Sequence, residues 1–172
     1  MQKVERLLCL IDTISEWSGK IVSPLIIFIM AIIMYEIVAR YAFDAPTIWA
    51  HETSAFVYGA HFILGGGYAL RHGEHVNVDV LYGRFPPRMR AITDLVTSIL
   101  FYLFCGVLLW AGVEMGWRSL RLLETSQTIF SPPVYPIRLM IPLGAFLILL
   151  QGSAKFIRDF IMAITGRPEY EH

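Results

Sequence analysis

The amino-acid sequence predicts an all-α integral membrane protein with four transmembrane helices. Hydrophobic residues make up 56% of the 172 residues and charged residues 16%, which is a more apolar balance than that of a typical soluble domain. The charges are also segregated, since four runs of 15, 18, 19 and 16 residues contain no Asp, Glu, Lys or Arg; they cover residues 21–35, 53–70, 95–113 and 139–154. A soluble bundle would carry a polar stripe through such windows, whereas about 20 apolar residues form a helix that crosses a bilayer.

The length of the chain fits one membrane domain over residues 1–172. With their polar ends added, the predicted spans are residues 21–42, 47–71, 88–116 and 135–158. Residues 3–18 have apolar side chains at helical spacing and charges off that stripe, which predicts an amphipathic segment on the inner membrane surface. A plain extension of the first span fits these residues equally well. Residues 72–86 alternate charged and apolar side chains and predict a second, flat interfacial segment between helices 2 and 3.

The distribution of Lys and Arg predicts the orientation. Ten of the 14 basic residues fall in the N-terminal segment, in the connection between the second and third spans, and in the C-terminal tail. Cytoplasmic loops of membrane proteins carry the excess of Lys and Arg. Both termini and the flat segment are therefore predicted to be cytoplasmic. No secretory signal peptide is evident, so the first span is expected to remain as an anchor.

Two features mark the first two spans. Glu36 and Arg40 are four residues apart at the outer end of the first span, where a self-neutralising pair is preferred over an ion-binding role for the glutamate. In the second span Gly59 and Gly66 share a stripe with Glu52, and small residues allow a second helix to approach closely. His61 lies in the middle of this span and is interpreted as a hydrogen-bonded packing residue.

No catalytic constellation is visible. The sequence contains no phosphate-binding loop, zinc spacing or nucleophile motif, so the prediction is not an enzyme, with no cofactor and no metal. The net charge of zero gives no case for nucleic-acid binding. A four-helix haem-binding redox subunit is the alternative, but haem needs axial ligands, and only His61 lies deep in a span.

The order of short motifs resembles the small membrane subunit of tripartite ATP-independent periplasmic (TRAP) transporters, the DctQ-like family. The matching elements, over about residues 20 to 160, are Arg40-Tyr41 with Phe43, Trp49-x-x-Glu52, the glycine-rich second span, Ala69-Leu70-Arg71, His75-Val76-Asn77-Val78-Asp79, Pro86 with Arg90, Pro142-Leu143-Gly144 and Gln151-Gly152. One departure is His51, where the family often has a second acidic residue.

The resemblance implies an accessory subunit of a sodium-coupled, binding-protein-dependent secondary transporter in the bacterial inner membrane. Its expected partners are a large DctM-like membrane subunit, a periplasmic DctP-like substrate-binding protein, and phospholipids. The small subunit would stabilise and anchor the large elevator-type subunit, which would hold the sodium and the substrate, a small organic acid. No substrate-binding residue is expected in this chain.

Roles for individual residues follow from this resemblance. Trp49 and Glu52 would fix the outer end of the second span, with Glu52 pairing either with Arg40 inside the chain or with the large subunit. The inner surface would be held by side chains that contact lipid phosphates or partner carboxylates, namely Arg71, His75, Arg84 and Arg88. In the outer connection, Glu124 and Ser126 would contact the binding protein, although plain solvation of this loop fits them as well.

Overall fold

The computed structural model describes residues 2–72 and 87–165. It contains five helices: α1 Gln2–Val22, α2 Leu25–Ala42, α3 Ala50–Arg71, α4 Pro87–Arg121 and α5 Tyr135–Thr165. Within these two ranges there is no β-strand, and the only β-type pairing is an isolated bridge between Thr125 and Pro133. The predicted all-α class is therefore confirmed. Most of the flat segment predicted for residues 72–86, and the tail from residue 166, lie outside the described residues.

Three stretches of the described chain are long and apolar enough to cross a membrane: Arg6–Ala42, Ile92–Arg121 and Tyr135–Met162. They correspond to α1 with α2, to α4 and to α5. The second predicted span, residues 47–71, is present as α3, a helix of 22 residues, but it is not among these three stretches. The hydropathy of α3 is lowered by His51, Glu52, His61 and Arg71, together with four glycines.

The helices α1 and α2 follow each other almost without interruption. The amide of Ser23 still donates to the carbonyl of Gly19, and the amide of Ile27 donates to that of Pro24. Proline lacks an amide hydrogen and clashes with the preceding turn, so Pro24 separates the two helices without reversing the chain.

Helix α3 lies at the centre of the bundle, packed against α1, α2 and α5, while α4 packs on α5. Gly59 faces Ile137 and Gly67 faces Leu147, so residue numbers rise together and α3 runs parallel to α5. Gly112 faces Pro142 and Gly116 faces Leu139, so α4 runs antiparallel to α5. In the same way, contacts of Gly19 with Tyr68 and of Gly65 with Val22 make α1 antiparallel to α3.

Glycine allows the closest approach between α3 and α5. A Cβ at Gly66 would lie 2.7 Å from Cδ1 of Ile148, and one at Gly144 would lie 2.6 Å from the carbonyl oxygen of Ile63. The Ile148 side chain could move to make room at Gly66, but the backbone carbonyl at Gly144 could not, so the two backbones pack directly on each other at Gly144. This is how membrane helices associate where burial of apolar surface provides no driving force.

Candidate functional site

The outer end of α3 is tied to the connection between α4 and α5 through Glu52. Glu52 lies in the first turn of α3. The hydroxyl of Ser126 donates to its Oε1 over 2.5 Å, and the hydroxyl of Thr128 lies 2.7 Å from both carboxylate oxygens. A carboxylate at a helix N-terminus is also stabilised by the helix dipole. Glu52 therefore joins two parts of the chain that lie more than 70 residues apart in sequence.

Arg40 pairs with Glu36 and not with Glu52. Its Nε and a terminal guanidinium nitrogen donate to Glu36 Oε1 over 3.0 and 2.5 Å. The second carboxylate oxygen of Glu36 accepts from the amide of Thr47, 3.1 Å away, and from its hydroxyl. The prediction of a self-neutralising Glu36–Arg40 pair is confirmed. With its oxygens occupied in this way, Glu36 ties the end of α2 to the turn before α3.

Trp49 closes the same turn. Its ring stacks on Tyr35 of α2 with 5.8 Å between ring centroids, and the residue directly precedes α3. Stacking of two large rings fixes the angle at which the chain enters α3. This position agrees with the role expected for Trp49, which stays a prediction until the residue is changed.

The outer connection also bonds to itself. Helix α4 ends in a Schellman motif, since the amide of Glu124 donates to the carbonyl of Ser119 and Leu123 adopts a left-handed φ of 45°. Further on, Ser126 and Pro132 form a main-chain hydrogen bond of 2.8 Å, and the carboxylate of Glu124 pairs with Arg138 of α5. The two side chains predicted to contact a binding protein, Glu124 and Ser126, are thus both bonded within the chain.

A polar cluster lies at the opposite end of α3, on the face of α1 that packs against α5. The side chain of Gln151 is 1% exposed and that of Ser15 is fully buried. Ser15 donates to Gln151 Oε1 over 2.8 Å, Gln151 donates to Asp12 over 3.0 Å, and Arg158 donates to the other oxygen of Asp12 over 2.5 Å. The cluster therefore joins α1 to α5 by charged and neutral hydrogen bonds.

Arg71 extends this cluster to α3. Its guanidinium donates to the backbone carbonyl of Asp12 over 2.7 Å and to Glu16 over 2.8 Å, and Lys20 lies 3.4 Å from Glu16. The cluster therefore gives Arg71 a protein carboxylate as its partner, while the sequence suggested lipid phosphate or a carboxylate of the large subunit. His75 and Arg84 lie outside the described residues, and Arg88 falls in the first turn of α4 with its side chain outside them.

Sequence reasoning did not identify Asp12, Ser15 or Arg158 as partners. The available signal was Gln151, an amide side chain in the last charge-free run, because a buried polar group in an apolar helix needs a hydrogen-bonding partner. Nothing in the sequence indicated that this partner lies on α1, more than 130 residues away.

His61 is held by the backbone. Its Nδ1 lies 2.9 Å from the carbonyl oxygen of Val22, which confirms its interpretation as a hydrogen-bonded packing residue. Across residues 2–72 and 87–165, no three His, Cys, Asp or Glu side chains form a group that could hold a metal ion. The haem-binding alternative is not favoured, because haem needs axial ligands and His61 is the only histidine deep in a predicted span.

Together the fold and its two polar ends are those of a multi-pass helical membrane protein. The chain belongs to the family described as "Tripartite ATP-independent periplasmic transporters, DctQ component", which matches residues 29–162. This membership confirms the predicted resemblance. It makes the chain a transporter component and not an enzyme.

Individual relatives agree with this membership. The chain is 28% identical over 104 residues to "Sialic acid TRAP transporter permease protein SiaT" of Haemophilus influenzae, covering 60% of this chain and 16% of that protein. It is 24% identical over 139 residues to "Isethionate TRAP transporter permease protein DctMQ" of Oleidesulfovibrio alaskensis, covering 77% and 22%. It is 21% identical over 96 residues to "Sialic acid TRAP transporter small permease protein SiaQ" of Vibrio cholerae, covering 56% of each chain. The chain thus spans less than a quarter of the length of the first two relatives.

Proposed function

We propose that this chain is the accessory subunit of a sodium-coupled TRAP transporter, and that it anchors and stabilises a large DctM-like subunit in the bacterial inner membrane. The observation that carries this proposal is the location of polar and apolar groups. At each end of α3 the polar side chains bond to other polar side chains of the chain. Helices α2 and α4, by contrast, expose long apolar faces. The exposed side chains include Ile27, Met30, Met34 and Val38 on α2, and Leu100, Leu103, Val107 and Trp110 on α4.

Such faces suit lipid or another membrane protein better than a transport route. A route for an ion or an organic acid needs ionisable groups in the middle of the membrane. Here the described charged side chains gather at the ends of the bundle, where the pairs Glu36–Arg40, Glu124–Arg138 and Asp94–Lys155 neutralise each other. The substrate and sodium sites are accordingly proposed for the partner subunit.

The relatives support both the partner and the substrate class. DctMQ aligns with this chain over only 22% of its length, which leaves room within that one permease for a large membrane subunit. The names of the relatives refer to sialic acid and isethionate, both of which are organic acids that carry negative charge. A small organic acid, delivered by a periplasmic binding protein, is the proposed substrate.

We further propose that α3 crosses the membrane as the second of four spans, with both termini in the cytoplasm. Helix α3 runs parallel to α5 and contacts it from Gly59 to Gly67, so it extends through the same layer as the apolar middle of α5. Helix α3 is less apolar than the three stretches that are long and apolar enough to cross a membrane. This difference matches its central position, since α1, α2 and α5 cover much of its surface.

Purification of the tagged chain from its own membranes tests the proposed partnership. Mass spectrometry should find a large multi-span protein at equal stoichiometry. Proteoliposomes that contain both membrane subunits and are supplied with the binding protein should then take up substrate along an inward sodium gradient. Vesicles that contain the large subunit alone serve as the control and should transport poorly. Recovery of the chain alone, or uptake that is independent of the chain, would contradict the proposal.

A further inference from the structure

We propose that Glu52 is a positioning residue for the connection between α4 and α5, and that it fixes the conformation of residues 124–134 at the outer end of the bundle. This role differs from pairing with Arg40 and from direct contact with a partner subunit. It follows from the hydrogen bonds of Glu52, from the weakness of the connection's own bonds, and from the side chains that the connection leaves exposed.

The connection bonds to itself through few main-chain groups. Ser126 donates to Pro132, Val134 donates to Glu124 over 2.9 Å, and Ser131 donates to Thr128 over 3.1 Å. The only β-type pairing in it is the isolated bridge between Thr125 and Pro133, and even a complete two-stranded hairpin is marginally stable in water. The pair of Glu124 with Arg138 attaches the base of the connection to α5, so a second attachment is needed to hold the residues nearer its tip.

Two residues of this region also adopt an unfavourable backbone conformation. Leu123 has a φ of 45° and Ser131 a φ of 46°, in the left-handed region that disfavours side chains with a Cβ. Such conformations persist where the surrounding structure holds them. Leu123 is held by the end of α4, and Ser131 lies three residues from Thr128, whose hydroxyl bonds to Glu52.

Glu52 provides the attachment with suitable chemistry. Its carboxylate is held by the first turn of α3 and accepts from the hydroxyls of Ser126 and Thr128, which lie 3.2 Å from each other. Hydrogen bonds to an ionised acceptor are roughly twice as strong as neutral ones. One side chain on a rigid helix therefore holds both hydroxyls of the connection.

This attachment determines which residues the connection presents. The hydroxyls of Ser126 and Thr128 point to Glu52, whereas Ile129 between Thr128 and Phe130 is 90% exposed. The tip around Gln127, Ile129 and Phe130 is exposed, whereas the side chains of Glu124 and Ser126 are used to hold the connection.

Hydrogen exchange of the full-length chain, purified in its complex or in lipid nanodiscs, tests the proposal. In Glu52→Ala, exchange at the amides of Ser126, Ser131 and Val134 should become at least about tenfold faster, the factor that corresponds to the loss of a single charged hydrogen bond. Glu52→Gln retains one acceptor oxygen and should restore most of the protection. Glu114→Ala is the matched control. Glu114 is also a carboxylate near the outer end of the bundle, on α4, but it makes no hydrogen bond or ion pair in the described structure.

Thr128→Val provides a test that leaves α3 unchanged, since it replaces only a hydroxyl by a methyl group. It should accelerate exchange of the same amides without affecting α3. Unchanged exchange in Thr128→Val together with Glu52→Ala would overturn the proposal. Faster exchange confined to the first turn of α3 in Glu52→Ala would also overturn it, because Glu52 would then stabilise only its own helix.

Discussion

Gly144 is the residue at which a single added methyl group should disturb the bundle most directly. A Cβ at this position would lie 2.6 Å from the carbonyl oxygen of Ile63, and a backbone oxygen cannot move without shifting α3. Gly144→Ala should therefore destabilise the protein by about 1–3 kcal/mol, the usual cost of overpacking. The measurement is the thermal unfolding midpoint in detergent, with tryptophan fluorescence as the readout.

Gly106→Ala is the matched control for this prediction. It makes the same change in α4, where a Cβ would meet nothing within 4 Å. Since alanine favours a helix over glycine by about 1 kcal/mol, Gly106→Ala should leave the midpoint unchanged or raise it slightly. Equal midpoints for the two variants would show that α3 and α5 are not in direct backbone contact.

Ser119 supports a prediction of opposite sign. Its hydroxyl oxygen is fully buried and has no hydrogen-bond partner among the described residues. An unsatisfied buried hydroxyl costs about 1–3 kcal/mol, so Ser119→Ala should raise the unfolding midpoint of the isolated chain. A clear decrease in the midpoint would mean that the hydroxyl has a hydrogen-bond partner in the protein as purified. Chemical denaturation of the same variant would check the change in stability independently.

At the level of residues, the sequence predicted contacts within one helix better than contacts between helices. Glu36 and Arg40 are four residues apart, and the helical repeat alone brings them together. For Glu52 the periodicity predicts a face of α3 but no partner, and Arg40 was one candidate. In the structure the carboxylate of Glu52 accepts hydrogen bonds from Ser126 and Thr128 instead. Contacts across a bundle depend on how the helices are arranged, which helical spacing does not determine.

Helix α1 illustrates the same limit for a whole element. Its stripe of apolar residues at helical spacing predicted an amphipathic helix, and the helix is present. Periodicity separates two faces but does not tell which of them meets protein. In the structure Asp12 and Ser15 face α5, while Leu10 and Trp17 are 64% and 62% exposed. The location of this exposed face on the inner membrane surface stays a prediction.

The attachment of α1 to α5 should depend on Asp12. This carboxylate accepts from Gln151 and Arg158, and hydrogen bonds to charged groups contribute about 1.5–3 kcal/mol. Asp12→Ala should therefore destabilise the protein by about that amount and increase proteolysis of α1. A double-mutant cycle with Arg158→Ala, measured by the unfolding midpoint, would isolate the energy of this ion pair.

Lys20→Ala is the control for Asp12→Ala. The side chain of Lys20 pairs with Glu16 in the same helix but is 65% exposed, and exposed pairs of this kind contribute about 0–1 kcal/mol. An effect of Asp12→Ala no larger than that of Lys20→Ala, with no coupling to Arg158, would show that α1 is held by its other contacts, namely the apolar cluster of Leu8, Ile11 and Ala154 and the bonds of Ser15 and Glu16.

For the whole molecule, the hydropathy pattern predicted the elements and the packing explains their order. Helix α3, which is not among the three stretches apolar enough to cross a membrane, is the one that others surround, whereas α4, which packs only on α5 among the major contacts, exposes its apolar face. A helix enclosed by other helices can carry a histidine, because a neighbouring backbone carbonyl is available to it. His61 and Val22 are an example. Charge-free length alone could not distinguish an enclosed helix from a lipid-facing one.

The four-span topology gives the final prediction, because it depends on whether α3 crosses the membrane. In a chain with Cys9 and Cys105 replaced by serine, single cysteines are introduced as Ala45→Cys before α3, His72→Cys after it, and Gln127→Cys between α4 and α5. Four crossings place positions 45 and 127 on the periplasmic side and position 72 in the cytoplasm, in agreement with the excess of Lys and Arg there. A membrane-impermeant maleimide added to intact spheroplasts should label the first two and spare the third until the cells are opened. Labelling of positions 45 and 72 from the same side would mean that α3 does not cross, and the parallel packing of α3 and α5 would then have to be accommodated within three spans.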